Sequence, residues 1–133
     1  MIEIDQNLFN QLFEQAEKNP RLRQNCDLRT SDGDKSQRML NALLPGTEVP
    51  IHRHPESCET VVCLQGRLDE VLYETQTAIK EMRRIHLNPS EGAWGCQVPK
   101  GVWHTVEVFE PSIILEAKDG AYGKDGSEFF DAH

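Results

Sequence analysis

Between residues 37 and 118 the chain is cut into short β-branched and apolar runs, each stopped by Gly, Pro, Asn or Asp, and this punctuation limits the fold more than any other feature. The runs fall at 37–44, 49–54, 59–64, 67–74, 78–87, 93–98, 104–109 and 112–118. Short strands at this regular spacing predict an all-β sandwich or barrel. Nothing resembles alternating βαβ units. Tight corners are expected at Gln65 and Gly66, across 88–92, and at Glu110 and Pro111. Ahead of the strands, Asp5 is placed to cap a helix in which Leu8, Phe9, Leu12, Phe13 and Ala16 recur at helical spacing until Asn19 and Pro20 stop it. Its apolar stripe predicts packing on an outer sheet face or on a partner subunit. With 133 residues there is length for one core. The expected organisation is therefore a helix and connecting segment over 1–36, packed on a β-barrel over 37–133.

Charge narrows the partners. Twenty-two acidic residues against 14 Lys and Arg give a formal charge of −8, which argues against nucleic acid or an anionic membrane as the main partner and favours a small-molecule ligand. No stretch approaches a membrane span, and the first residues lack the basic start and apolar run of a secretion signal, so the expected compartment is the cytoplasm. Four cysteines without a CxxC pair read as reduced thiols there. Cys63 shares the strand parity of Glu59 and Val61, so it either faces the interior near a site or fills a small gap in the core. Exposed sheet edges predict a homodimer.

The chemistry concentrates in the run from Gly46 to Gly66. His52 and His54 are separated by one residue, so on a strand both imidazoles point to the same side and Arg53 points away. Glu59 opens the next strand beyond a short loop, and His104 follows the turn residues Pro99 and Gly101 far downstream. Three imidazoles and a carboxylate on separate strands describe a mononuclear metal site inside a β-barrel, with positions left open for water or substrate. Mixed nitrogen and oxygen donors suit one divalent transition ion: Fe, Mn, Zn, Ni or Co. His86 and His133 lie outside this pattern and read as structural or solvent-facing.

The same residues resemble the cupin superfamily. Its first motif is Gly, five residues, His-x-His, three or four residues, Glu, six residues, Gly, and Gly46, His52, His54, Glu59 and Gly66 match every element. Gly92, Pro99, Gly101 and His104 match the second motif, with six residues instead of five after Gly92 and Val108 where the motif has Asn. The resemblance implies a double-stranded β-helix (jelly roll) with an N-terminal helix. Within the superfamily the chain is most similar to the WbuC-type cupin fold metalloproteins, small bacterial proteins often associated with polysaccharide gene clusters. The likeness runs through 21–25, 37–54, 101–104 and 116–122, and departs at Asp27 and Arg29, where an amide and a histidine are expected.

That likeness makes the segment from Glu116 to Tyr122 a pocket wall or lid. Glu116 and Lys118 share one face of a strand, and if that face is inward either serves as general acid or base; if outward, they form a solvated edge. Arg38, Asn41, Trp103 and Tyr122 are the candidate substrate contacts, Trp103 as a rim aromatic or else a packing residue. Arg21, Arg23 and Arg29, with Asn25, either hold a carboxylate or phosphate or are solvated surface groups. Three functions compete: a metal-dependent isomerase, epimerase or dioxygenase acting on a small sugar or sugar-nucleotide-like substrate, for which the resemblance implies a setting in surface polysaccharide biosynthesis; a non-catalytic metalloprotein that binds a small molecule; and a metal-free structural barrel.

Overall fold

Two long strands carry the architecture in the computed structural model, which describes residues 1–74, 80–120 and 126–130. They are β4 (Glu59–Tyr73) and β7 (His104–Asp119), which pair antiparallel from Thr60 opposite Ala117 to Leu72 opposite His104. The remaining elements are α1 (Gln6–Lys18), β1 (Arg23–Asp27), β2 (Ser36–Leu43), β3 (His52–Arg53), β5 (Glu81–Leu87), β6 (Gly95–Val98) and β8 (Glu128–Phe129), with a 3₁₀ turn at Pro89–Glu91. β5 and β6 pair with β4, while β2 and β3 pair with β7. β1 then adds to β2, and β8 to β3. All these pairings are antiparallel, and the sheet curls into a half-barrel around an internal cavity.

The expected corners at Gln65–Gly66 and Glu110–Pro111 are not corners. Both long strands run through them, and the register between them slips around Gln65 and Arg67. Gly66 has φ +97°, and a Cβ there would meet the Pro111 carbonyl oxygen and Ser112 Oγ at 2.4 Å. Only glycine tolerates that approach. Pro111 has no N–H to give, and the buried Ser112 hydroxyl serves in the ladder instead, accepting from the Arg67 amide at 3.1 Å and donating to the Glu110 carbonyl at 2.7 Å. The strand expected over 49–54 contracts to His52 and Arg53, since Pro50 interrupts it. The polar stretch Arg23–Asp27, read in the sequence as connecting segment, is a strand of the sheet.

Strand parity sorts the two faces of β2. Leu40 and Ala42 point outward to Leu12 and Ala16 of α1, joined by Ile113 of β7. Asp5 caps that helix through a hydrogen bond from the Leu8 amide to its carboxylate at 2.9 Å, and Asn19 ends it. The helix therefore covers an outer face of the sheet. On the inner face Leu43, Val61, Cys63, Leu68, Leu87, Val108 and Ile114 form the barrel core. Cys63 is fully buried there and is absent from the cavity wall, which assigns it the packing role. All four cysteines are free thiols.

Candidate metal centre

His52 on β3 pairs directly with His104 at the start of β7, and His54 follows two residues later with the same parity. One nitrogen from each of the three rings lies within 4.8 Å of the others. Each ring is oriented through Nδ1: His52 Nδ1 donates to the Pro50 carbonyl at 2.8 Å and His104 Nδ1 to the Val102 carbonyl at 2.9 Å, while His54 Nδ1 meets Ser127 Oγ at 2.8 Å. A proton fixed on Nδ1 leaves Nε2 with its lone pair, the form that ligates a metal. Burial, with the charge His104 would carry, pushes His52 down to about 4, so its ring is neutral at pH 7.

Glu59 borders the three rings, with Oε2 2.9 Å from His54 Nε2 and Oε1 3.8 Å from His104 Nε2. Burial raises its carboxyl, but the neighbouring His104 and His54 outweigh it and shift it downward, so Glu59 is ionised. A carboxylate facing the lone pair of a ring whose proton is on the opposite nitrogen gains from a cation between them. The donor set thus fits a divalent ion on its own chemistry. Behind it, Arg53 points away from the rings as parity requires, lying 4.5 Å above Trp103 and pairing with Glu128.

The rings open into a cavity of about 430 Å³, within the size range of small-molecule sites. Asn41, Glu116 and Lys118 line it, so the polar face of the last part of β7 is inward. Glu116 Oε1 accepts from Asn41 Nδ2 at 3.3 Å, and Lys118 Nζ donates to the Gly120 carbonyl at 2.8 Å. Burial, with the nearby charge of Glu59, pushes Glu116 up to about 8, against the pull of Asn41 and Lys118. The other sequence candidates lie elsewhere. Arg38 sits on the opposite face of β2 and pairs with Asp34 at 2.8 Å. Trp103 is buried against Arg53 and Phe130, away from the cavity. Tyr122 and His133 lie outside the described residues. His86 is exposed and bonds Asp69 at 2.5 Å. Arg29 pairs with Asp27, whereas Arg21, Arg23 and Asn25 reach the cavity wall.

Sequence reasoning passed over Gln37 and Glu70, both buried in that wall. Each carried a signal: Gln37 shares parity with Met39 and Asn41, and Glu70 shares it with the buried Leu68 and Leu72. Burial above all, then the charges of Glu59 and Glu116, raises the Glu70 carboxyl well above the ordinary range. Ser127 had no such signal, being 73 residues from the ring it orients.

A curled antiparallel half-barrel that carries its histidines and glutamate at the mouths of β3, β4 and β7 has the cupin fold. A cupin 2 domain-containing protein from Halorhodospira halophila superposes with TM-score 0.64 at 17% identity, over 83% of this chain and 71% of that one. A cupin-2 domain protein from Rhodospirillum rubrum does so with TM-score 0.63 at 14% identity, over 83% and 66%. Oxalate decarboxylase of Bacillus subtilis, a protein with Mn(II) centres, matches with TM-score 0.61 at 20% identity over 81% of this chain, which spans 27% of that longer one. Within this fold the chain belongs to the family described as Domain of unknown function (DUF6016), whose sequence profile matches residues 4–85. No curated protein sequence matches it.

Proposed function

We propose that the protein is a mononuclear metal-dependent enzyme acting on a small polar substrate of sugar or sugar-nucleotide type. Its similarity in sequence to the WbuC-type cupin metalloproteins makes bacterial surface polysaccharide biosynthesis the setting of this proposal. The observation that carries it is the convergence of three imidazoles, each steered through Nδ1, on one end of the cavity beside an ionised Glu59. His52, His54, His104 and Glu59 are the proposed ligands. A bound divalent ion would supply Lewis-acid polarisation of a carbonyl or hydroxyl, or a site for dioxygen.

The chain's own groups perform the remaining work. Glu116, whose carboxyl burial above all raises to about 8 in the metal-free protein, would hold a proton beside the cavity and serve as general acid. Lys118 places its ammonium next to it and favours the carboxylate left behind. The apolar side chains of Met39, Leu43, Val61 and Ile114 line the space between.

The test loads protein from metal-balanced minimal medium, measures its metal by elemental analysis, and screens it against sugar nucleotides and small acids with product detection and oxygen uptake. Turnover that disappears in His104→Ala supports the enzyme. Saturable binding without product assigns a non-catalytic binding protein instead, and folded protein that takes up no metal overturns both.

A further inference from the structure

The cavity wall away from the histidines has a chemical bias. Gln37 and Glu70 are 2% and 1% exposed, yet among the described residues Gln37 Oε1 and Glu70 Oε2 have no hydrogen-bond partner. Asn41 Oδ1 is unpartnered as well, its amide nitrogen being occupied by Glu116. The three residues line one cavity from two sides. Gln37 and Asn41 lie on β2, level with Lys118 and Ile114 of β7, while Glu70 lies on the other half of the curled sheet, level with Val106. Leaving a polar atom sealed without a partner costs about 1–3 kcal/mol, so three in one wall are a liability for the fold alone. All three are acceptors, and Glu70 keeps an acceptor whether or not it carries a proton. What fits between them must bring several donors. An organic cation would bring donors too, but with the Glu70 and Glu116 carboxyls raised by burial, only the ionised Glu59 offsets Arg21, Arg23 and Lys118 in the same lining.

We propose that Gln37, Asn41 and Glu70 form the recognition wall for a polyhydroxylated ring, whose hydroxyl groups donate to their three unpartnered oxygens. This rests on reading the cavity as a small-molecule site, and it names the ligand class of that site. The wall discriminates by donors: a ligand lacking the hydroxyls leaves the acceptors buried and unmet, a penalty that binding sites built on hydrogen bonds exploit strongly.

Calorimetric titration tests it on Mn²⁺-treated protein with myo-inositol, D-glucose, D-galactose and D-mannose, against cyclohexanol and cyclohexylamine. At least one polyol binds saturably and at least tenfold more tightly than both controls. Gln37→Leu and Glu70→Leu each weaken that polyol at least tenfold, whereas Glu70→Gln, which keeps an acceptor, holds it within about threefold. Without polyol, Gln37→Leu raises the melting temperature by about 3 °C or more, because an unmet polar atom has been removed. The proposal is overturned if no polyol binds, if cyclohexanol or cyclohexylamine binds as well, or if Gln37→Leu lowers the melting temperature and leaves polyol binding unchanged. Manganese content, measured on the same samples, separates this from failure of the metal reading. A chain that binds polyol but no Mn²⁺ keeps its wall and loses its ion; one that binds Mn²⁺ but no polyol does the reverse.

Discussion

Ser127 shows how a residue without a motif controls one that has a motif. Its hydroxyl bonds His54 Nδ1, and that contact sets the ring's orientation towards its neighbours. Outer contacts of this kind typically account for a factor of 10–100 in metal affinity. Ser127→Ala should therefore weaken Mn²⁺ or Zn²⁺ binding about tenfold in competition with a chelator, and leave the far-ultraviolet circular dichroism unchanged. Glu116 gives a prediction in pH. In metal-free protein it holds a proton up to about pH 8, and burial raises the Glu70 carboxyl well above the ordinary range too, while the unfolded chain releases both near pH 4.3. The unfolded state binds fewer protons through that window, so stability falls as pH rises. His52, with its pKa lowered to about 4, works in the opposite sense, but only up to about pH 6.5, where the unfolded imidazole also becomes neutral. The melting temperature of chelator-treated protein should therefore drop between about pH 6.5 and 8, and drop less in Glu116→Gln. Parallel slopes for the two proteins would refute this assignment of the proton.

At the level of elements, α1 and the long strands differ in how openly the sequence announces them. The helix was legible because its signals agree: Asp5 at the cap, an apolar stripe at 3.6-residue spacing, and Asn19 with Pro20 at the stop. Asp5→Ala should remove about 1 kcal/mol, read as a lower midpoint in urea with unchanged slope. Leu12→Ala, at the contact with Leu40 and Ile113, should cost about 2–5 kcal/mol in the same measurement. The strand boundaries were misread at Gly66 and Pro111 because Gly and Pro mark turns locally. Here the neighbouring strand decides: Gly66 is needed for the approach of Pro111 and Ser112, which lie far away in sequence. Gly66→Ala combines a positive φ with a backbone collision, and should lower the melting temperature more than any substitution named above. β1 went unread for a different reason. Its inner residues Arg23 and Asn25 face the cavity instead of a packed core, so the alternation that betrays a strand is missing.

For the molecule as a whole, the histidines and Glu59 were legible because strand parity is strict, and the spacing of His52, His54 and Glu59 needs no knowledge of tertiary structure. The rest of the cavity was not, because its walls combine β1, β2, β4 and β7, and which residues meet depends on how far the sheet curls. Arg38 and Asn41 show the limit. Both stand in the same short strand, and only the side on which α1 packs decides that Asn41 turns inward and Arg38 outward. β7 joins the two ends of the candidate site, with His104 at its start and Glu116 and Lys118 near its end. Since neighbouring side chains point oppositely, a single amino acid inserted after Pro111 would leave His104 where it stands and turn Leu115 and Ala117 into the chamber in place of the acid and the amine. One indel can thus convert a chamber lined by acid and amine into an oily one with the histidine trio intact, a short evolutionary route from the proposed catalyst to a carrier.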